Sequence, residues 1–149
     1  MKEYIFGNLM DWGNALDKLQ WLTDTGQLNN HQDELIRLFR FEGNWRLREA
    51  AIEASSTLAN PSIDTLKQLV ELMKRGDLYY NVRIMAAGAL SALVPVVMEN
   101  KGANSESVHL FFNEANDEVK TLLSSPEPPI FHDALNLTLA QIQKVTAVA

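Results

Sequence analysis

The chain is expected to be all-α, a solenoid of stacked helix pairs, and three observations lead there. Glu42, Arg48, Ala51, Ala54 and Leu58 are matched by Asp77, Arg83, Ala86, Ala89 and Leu93 at a constant offset of 35 residues, with Leu47 over Val82. A period of that length is the signature of a stacked repeat. Apolar residues recur at helical spacing in seven segments, and no period-2 alternation persists far enough to make a strand. At 149 residues, 46% hydrophobic and 21% charged, the chain suffices for one soluble domain with its own core.

The first helix is expected from about Gly7 to Thr23, with Leu9, Trp12, Leu16 and Leu19 on its buried face and Asp24-Thr25-Gly26 as its stop. It caps the stack. The second helix opens near Asn30, turns Leu35, Leu38 and Phe39 inward and is broken by Gly43-Asn44. Trp45 to Ala59 forms the third, which holds the first copy of the pattern and is closed by Asn60-Pro61-Ser62. Helix four covers Ile63 to Arg75, with Leu66, Leu69, Val70 and Met73 inward, and Gly76-Asp77 is the following turn. Helix five begins near Tyr79 with the second copy. Pro95 should kink or end it, because an interior proline loses a backbone hydrogen bond and clashes one turn back.

Asn100 to Ser105 reads as a loop, and helix six then carries Val108, Phe111, Phe112, Ala115, Val119 and Leu122 until Ser124-Ser125-Pro126-Glu127-Pro128-Pro129 ends it. The last helix, about Ile130 to Val145, aligns on helix five at an offset of 49: Phe131 over Val82, His132 over Arg83, Leu135 over Ala86, Leu139 over Leu90 and Ile142 over Leu93. A degenerate third copy is what a terminal capping unit looks like. Helices two and four also correspond, with Leu35, Ile36, Leu38 and Phe39 over Leu69, Val70, Leu72 and Met73. The unit is therefore a helix pair, with units at about 28–59, 61–98 and 104–146 after a capping helix at 7–23, all in a single domain over 1–149.

Alanines at Ala51, Ala54, Ala86 and Ala89 let a neighbouring helix approach closely, while Leu58 and Leu93 fill the layer beyond. Stacking the pairs buries faces that no single pair could bury. The acid six residues before each arginine falls in the turn between helices. There its carboxylate is expected to meet first-turn N–H groups and the arginine of the same or the next unit, so Glu42 with Arg48 and Asp77 with Arg83 are read as structural.

These residues carry a resemblance. Leu47-Arg48-x2-Ala51-x2-Ala54 and Val82-Arg83-x2-Ala86-x2-Ala89-Leu90-x2-Leu93 resemble the second helix of HEAT-type repeats, and the acid before each turn is similar to that family's repeated aspartate, with Glu42 a departure from it. The resemblance covers about Asp33 to Leu93. It implies an α-α superhelix, here about three stacked helix pairs with an N-terminal capping helix, whose second helices line a concave protein-binding surface.

Composition narrows the chemistry. Without cysteine there are no disulfides and no thiolate–metal sites. Met1 to Gly7 lacks a long apolar run, and no segment approaches about 18 consecutive apolar residues, so the expected location is the cytoplasm with no membrane partner. A formal charge of −6 argues against a nucleic-acid partner, although residues 37–83 hold eight basic side chains against six acids and the flanks five against thirteen. None of His31, His109 and His132 has a second histidine at i+3 or i+4, and there is no His-Glu dipeptide of the kind the metal-binding hydroxylases on such repeats carry. GxGxxG, P-loop and G-x-S-x-G motifs are missing as well. No cofactor and no metal are expected. His132-Asp133 point apart on a helix, and Asn136-Leu137-Thr138 matches a glycosylation acceptor in mid-helix, where it carries no meaning.

Trp12 is read as core; Trp21 and Trp45 are weighed as core or as interface anchors, with core favoured. Tyr79-Tyr80, in a turn between copies, is the better surface candidate. The resulting reading is a non-enzymatic interaction module that binds another protein through the ridge of helices three, five and seven, using Trp45, Arg46, Glu49, Glu53, Tyr79, Tyr80 and Ile84. Its rivals are a small acidic inhibitor or immunity-type antagonist, and an enzyme on a helical-repeat scaffold, nucleic-acid-directed or lyase-like. A second copy of the chain is a further candidate partner, through Val96-Val97-Met98 after Pro95.

Overall fold

Ser62 and Ser105 each accept a hydrogen bond from the backbone N–H three residues on, and Asn44 accepts from Arg46 N and Leu47 N. Three helices thus begin where a short polar side chain satisfies orphan donors. In the computed structural model, which describes residues 4–101 and 105–146, the order is α1 (Trp12–Asp24), a short 3-10 helix (Gln27–His31), α2 (Gln32–Phe39), α3 (Trp45–Ser55), α4 (Ile63–Lys74), α5 (Tyr80–Lys101), α6 (Glu106–Leu123) and α7 (Pro129–Thr146). Among the described residues there is no strand, and the fold is all-α. Residues 102–104 of the expected Asn100–Ser105 loop lie outside the described residues.

The helices form two layers. One runs α2, α4, α6; the other runs α1, α3, α5, α7; each layer is sequentially packed, and α2–α3, α4–α5 and α6–α7 pair across the layers. Ala51, Ala86 and Ala87 are wholly buried and Ala54 and Ala89 nearly so, at the positions where the repeat brings α3 and α5 together. Leu35, Leu38 and Phe39 from α2 and Leu66, Leu69 and Met73 from α4 are buried from the other layer. Gln32 ties the first pair to the second: its Oε1 accepts from Ser62 N and Thr65 Oγ1, both at 2.8 Å, and its Nε2 donates to Asn60 O at 2.9 Å. At the far end Thr138 Oγ1 donates to Ala87 O at 3.1 Å and meets Ser91 Oγ at 2.9 Å, joining α7 to α5. Thr138 of the Asn136-Leu137-Thr138 triplet is wholly buried in that role.

Several expectations are corrected. The first helix begins at Trp12, not Gly7, because Gly7 and Asp11 close turns onto Tyr4 O and Asn8 O. Leu9 and Phe6 are buried from that turn segment, while the helix itself buries Ala15, Leu19 and Leu22. Trp12 is 42% exposed at the helix end, and Trp21 is exposed too, so neither is core. Helix five does not end at Pro95 but continues through it to Lys101. An interior proline costs about 3 kcal/mol, but Leu90, Leu93, Val94 and Val97 around it are buried, and each such side chain returns about 1.5–3 kcal/mol.

Val97 is fully inside, with Val96 and Met98 half-buried, so Val96-Val97-Met98 is not an exposed patch. The stretch Tyr80–Asn100 has a mean hydropathy of 1.6 and is long and apolar enough to cross a membrane, contrary to the reading of short apolar runs. Its apolar face is spent on the core of the stack, where α3, α4 and α7 cover it.

Candidate functional site

The repeated arginines are built into the scaffold in the same way. Arg48, on the first turn of α3, donates from Nε to Phe39 O at 2.9 Å, and Arg83 of α5 donates from Nε to Met73 O at 2.9 Å. Phe39 and Met73 occupy equivalent places in the last turns of α2 and α4. Each arginine thus satisfies an orphan carbonyl at the C-terminus of the preceding helix, where a cation also complements the helix dipole. Both are buried, at 8% and 3% exposure.

Beyond that shared bond the two diverge. The Arg83 guanidinium lies 4.4 Å from the Phe131 ring centre and 5.1 Å from the Tyr80 ring, with Nη1 3.9 Å from Glu127 Oε2. Tyr80 donates its hydroxyl to Glu127 Oε2, which raises the phenol's pKa, and its ring meets Phe131 at 5.5 Å. Arg48 has no such surroundings. Its Nη2 is buried without a hydrogen-bond partner among the described residues. Burial, with Arg75 adding to it, pulls the Arg48 guanidinium below its ordinary pKa, and Glu42 and Asp77 oppose that shift.

Glu42 and Asp77 do not pair with Arg48 and Arg83 as expected. Both are held by Arg75, whose Nη2 lies 3.2 Å from Glu42 Oε1 and 2.6 Å from Asp77 Oδ2, with Nε 3.1 Å from Asp77 Oδ1. Arg75 stands in the α4–α5 turn and reaches both carboxylates from solvent, whereas the repeated arginines are turned inward to carbonyls. Neither acid caps a first turn where a cap is seen; Asn44 does so for α3. The Arg75 hydrogen bond holds the exposed Asp77 carboxyl below its usual pKa, and Arg75 is raised in return.

Around Arg48, at the edge of the stack formed by the α2–α3 and α4–α5 turns, lies an open cavity of about 220 Å³. Phe41, Trp45 and Tyr79 supply aromatic walls, Leu78 and Val82 an apolar floor, and Glu42, Arg48 and Asp77 the polar groups. Trp45 is 61% and Tyr79 81% exposed. The Arg46 guanidinium stacks 5.4 Å from the Trp45 ring.

Of the seven residues expected on the ridge, the structure brings Trp45 and Tyr79 together in this cavity, with Arg46 stacked at its rim. Tyr80 faces the next unit through Glu127 and Phe131. Glu53 lines a separate groove of about 440 Å³ between α1 and α3, with Asp17, Gln20 and Thr57. Glu49 and Ile84 are half-buried, and Ile84 packs against the core. Sequence reasoning missed Phe41, Leu78 and Arg75. The repeat could have pointed to Leu78, because the offset of 49 that sets Phe131 over Val82 sets Glu127 over Leu78.

His132 Nε2 meets Ser125 O at 2.9 Å at the α7 entry, as a helix-opening histidine does. No group of three or more His, Asp or Glu side chains that could hold a metal ion occurs among the described residues. Comparison with protein-family models, curated proteins and solved structures finds no match.

Proposed function

We propose that this chain is a HEAT-like α-α superhelix that binds another protein, in the cytoplasm, at the edge where the helix-pair turns meet the ridge of second helices. One observation carries the reading: two large aromatic side chains 34 residues apart, Trp45 at the start of α3 and Tyr79 just before α5, stand largely exposed around a single cavity with a buried guanidinium beneath. Aromatic rings next to arginine are the commonest anchors of protein interfaces. The scaffold has no need of them, since the core is complete without either ring. Repeat stacks present such turn and ridge residues at fixed spacing, which suits an extended partner surface.

The test is capture of partners on the immobilised chain from a nuclease-treated source lysate, with the Trp45→Ala/Tyr79→Ala chain in parallel. A protein retained at equal stoichiometry by the native chain and lost from the variant supports the reading. Capture of nothing, or equal capture by both, rejects it.

A further inference from the structure

The two repeated arginines offer a comparison inside one molecule. Arg83 has its carbonyl bond to Met73 and, from one segment in which the aromatic follows the acid by four residues, the Glu127 carboxylate and the Phe131 ring. Arg48 has the carbonyl bond alone among the described residues, and its Nη2 is buried and unpartnered. The offset of 49 explains the difference: Leu78 stands where Glu127 would be and Val82 where Phe131 would be. An apolar residue replaces the carboxylate and a smaller one replaces the ring, and the cavity of about 220 Å³ is lined by both.

The nearby acids do not make up the loss. Glu42 and Asp77 are engaged by Arg75, whereas Arg46 adds a further cation at the rim. Resting on the partner-binding reading above, we propose that the Arg48 cavity receives a peptide segment of the partner that presents a carboxylate to the guanidinium and, four residues later, an aromatic ring between Trp45 and Tyr79. A carboxylate completes the fork of a buried arginine better than a neutral acceptor does. An aromatic side chain fills a cavity of this size and stacks on guanidinium and rings alike. The partner segment thereby supplies from outside what residues 127–131 supply to Arg83 from within.

A capped synthetic peptide with the sequence of residues 124–132 is the probe, titrated calorimetrically into the full chain beside a twin carrying Glu127→Gln. The expected result is saturable one-to-one binding, weakened about tenfold or more in the twin, the effect of losing a charge-assisted hydrogen bond. Leu78→Glu should weaken binding of the parent peptide to the same degree by giving Arg48 a carboxylate of its own. Because Leu78 is half-buried, Tyr79→Ala, which alters an exposed ring, is measured alongside and should also weaken it. No saturable binding, or binding indifferent to the Gln twin and to both variants, overturns the proposal. If the peptide fails while the native and Leu78→Glu chains capture the same lysate partner, this inference falls and the partner-binding reading stands. Peptide binding by a chain that captures no protein supports the cavity and sinks the adaptor reading instead.

Discussion

Arg83→Met and Arg48→Met change the same repeat position and should differ in cost. Each removes a 2.9 Å hydrogen bond from a guanidinium to a last-turn carbonyl, Met73 O in one case and Phe39 O in the other. A bond of that kind contributes about 1.5–3 kcal/mol. At Arg83 the change also takes a cation from the Phe131 and Tyr80 rings, which adds about 0.5–2 kcal/mol. The expected loss there is about 2–5 kcal/mol. At Arg48 the same lost bond is set against removal of the buried, unpartnered Nη2, whose desolvation penalty is about 1–3 kcal/mol. The net expectation is between a gain of about 1.5 and a loss of about 2 kcal/mol. Methionine retains most of the stem volume, so cavity formation contributes little at either site. Urea unfolding followed by circular dichroism gives both differences, provided the slope is unchanged. Equal costs, or greater damage at Arg48, would refute the view that one guanidinium is fully engaged and the other is not.

Three further outcomes follow from the geometry. Asn44→Ala removes the side chain that accepts from Arg46 N and Leu47 N and should cost about 0.5–2 kcal/mol in urea unfolding; an unchanged midpoint would show that α3 does not depend on this cap. Thr138→Val deletes the hydroxyl that links α7 to Ala87 O and Ser91 Oγ, an expected loss of about 1–2 kcal/mol, read as a lower thermal midpoint. In an NMR titration Asp77 should titrate below the ordinary 3.8 because of its hydrogen bond to Arg75, and Arg75→Gln should return it towards that value. The sign is that of a depressed carboxyl: its contribution to stability is present above 3.8 and is lost as pH falls through the lower folded-state value. High salt should blunt it, since the pair is exposed.

Much of the architecture was legible because the constraint was local and repeated. Ala51, Ala54, Ala86 and Ala89 mark close helix approach by their size, and the structure buries all four. Asn60-Pro61-Ser62 and the proline-rich entry to α7 mark helix starts within a few residues of their observed places. Trp12 was misread because an apolar stripe was extended through Gly7–Asp11, where the backbone forms turns and no helical face exists. Pro95 does not end α5 because tertiary burial along the helix outweighs a local penalty, which no window of sequence displays.

The site was harder to read. Tyr79 could be named from its turn position and Trp45 as the residue that opens helix three, but their convergence depends on how adjacent pairs stack. The partners of the acids were not legible either, because Arg75 lies outside the repeated pattern and joins Glu42 across 33 residues. That Arg48 and Arg83 bind carbonyls of the preceding helix is a contact between a side chain and a backbone group, and the repeat signals only that the role recurs.

The most direct test of the partner-binding claim is the stoichiometry of proteins captured by the native chain and by Trp45→Ala/Tyr79→Ala, two substitutions of exposed rings. The predicted result is one protein retained at equal stoichiometry by the native chain and absent from a variant with the same thermal midpoint. Retention of no protein by the native chain, or of the same protein by both, would contradict it.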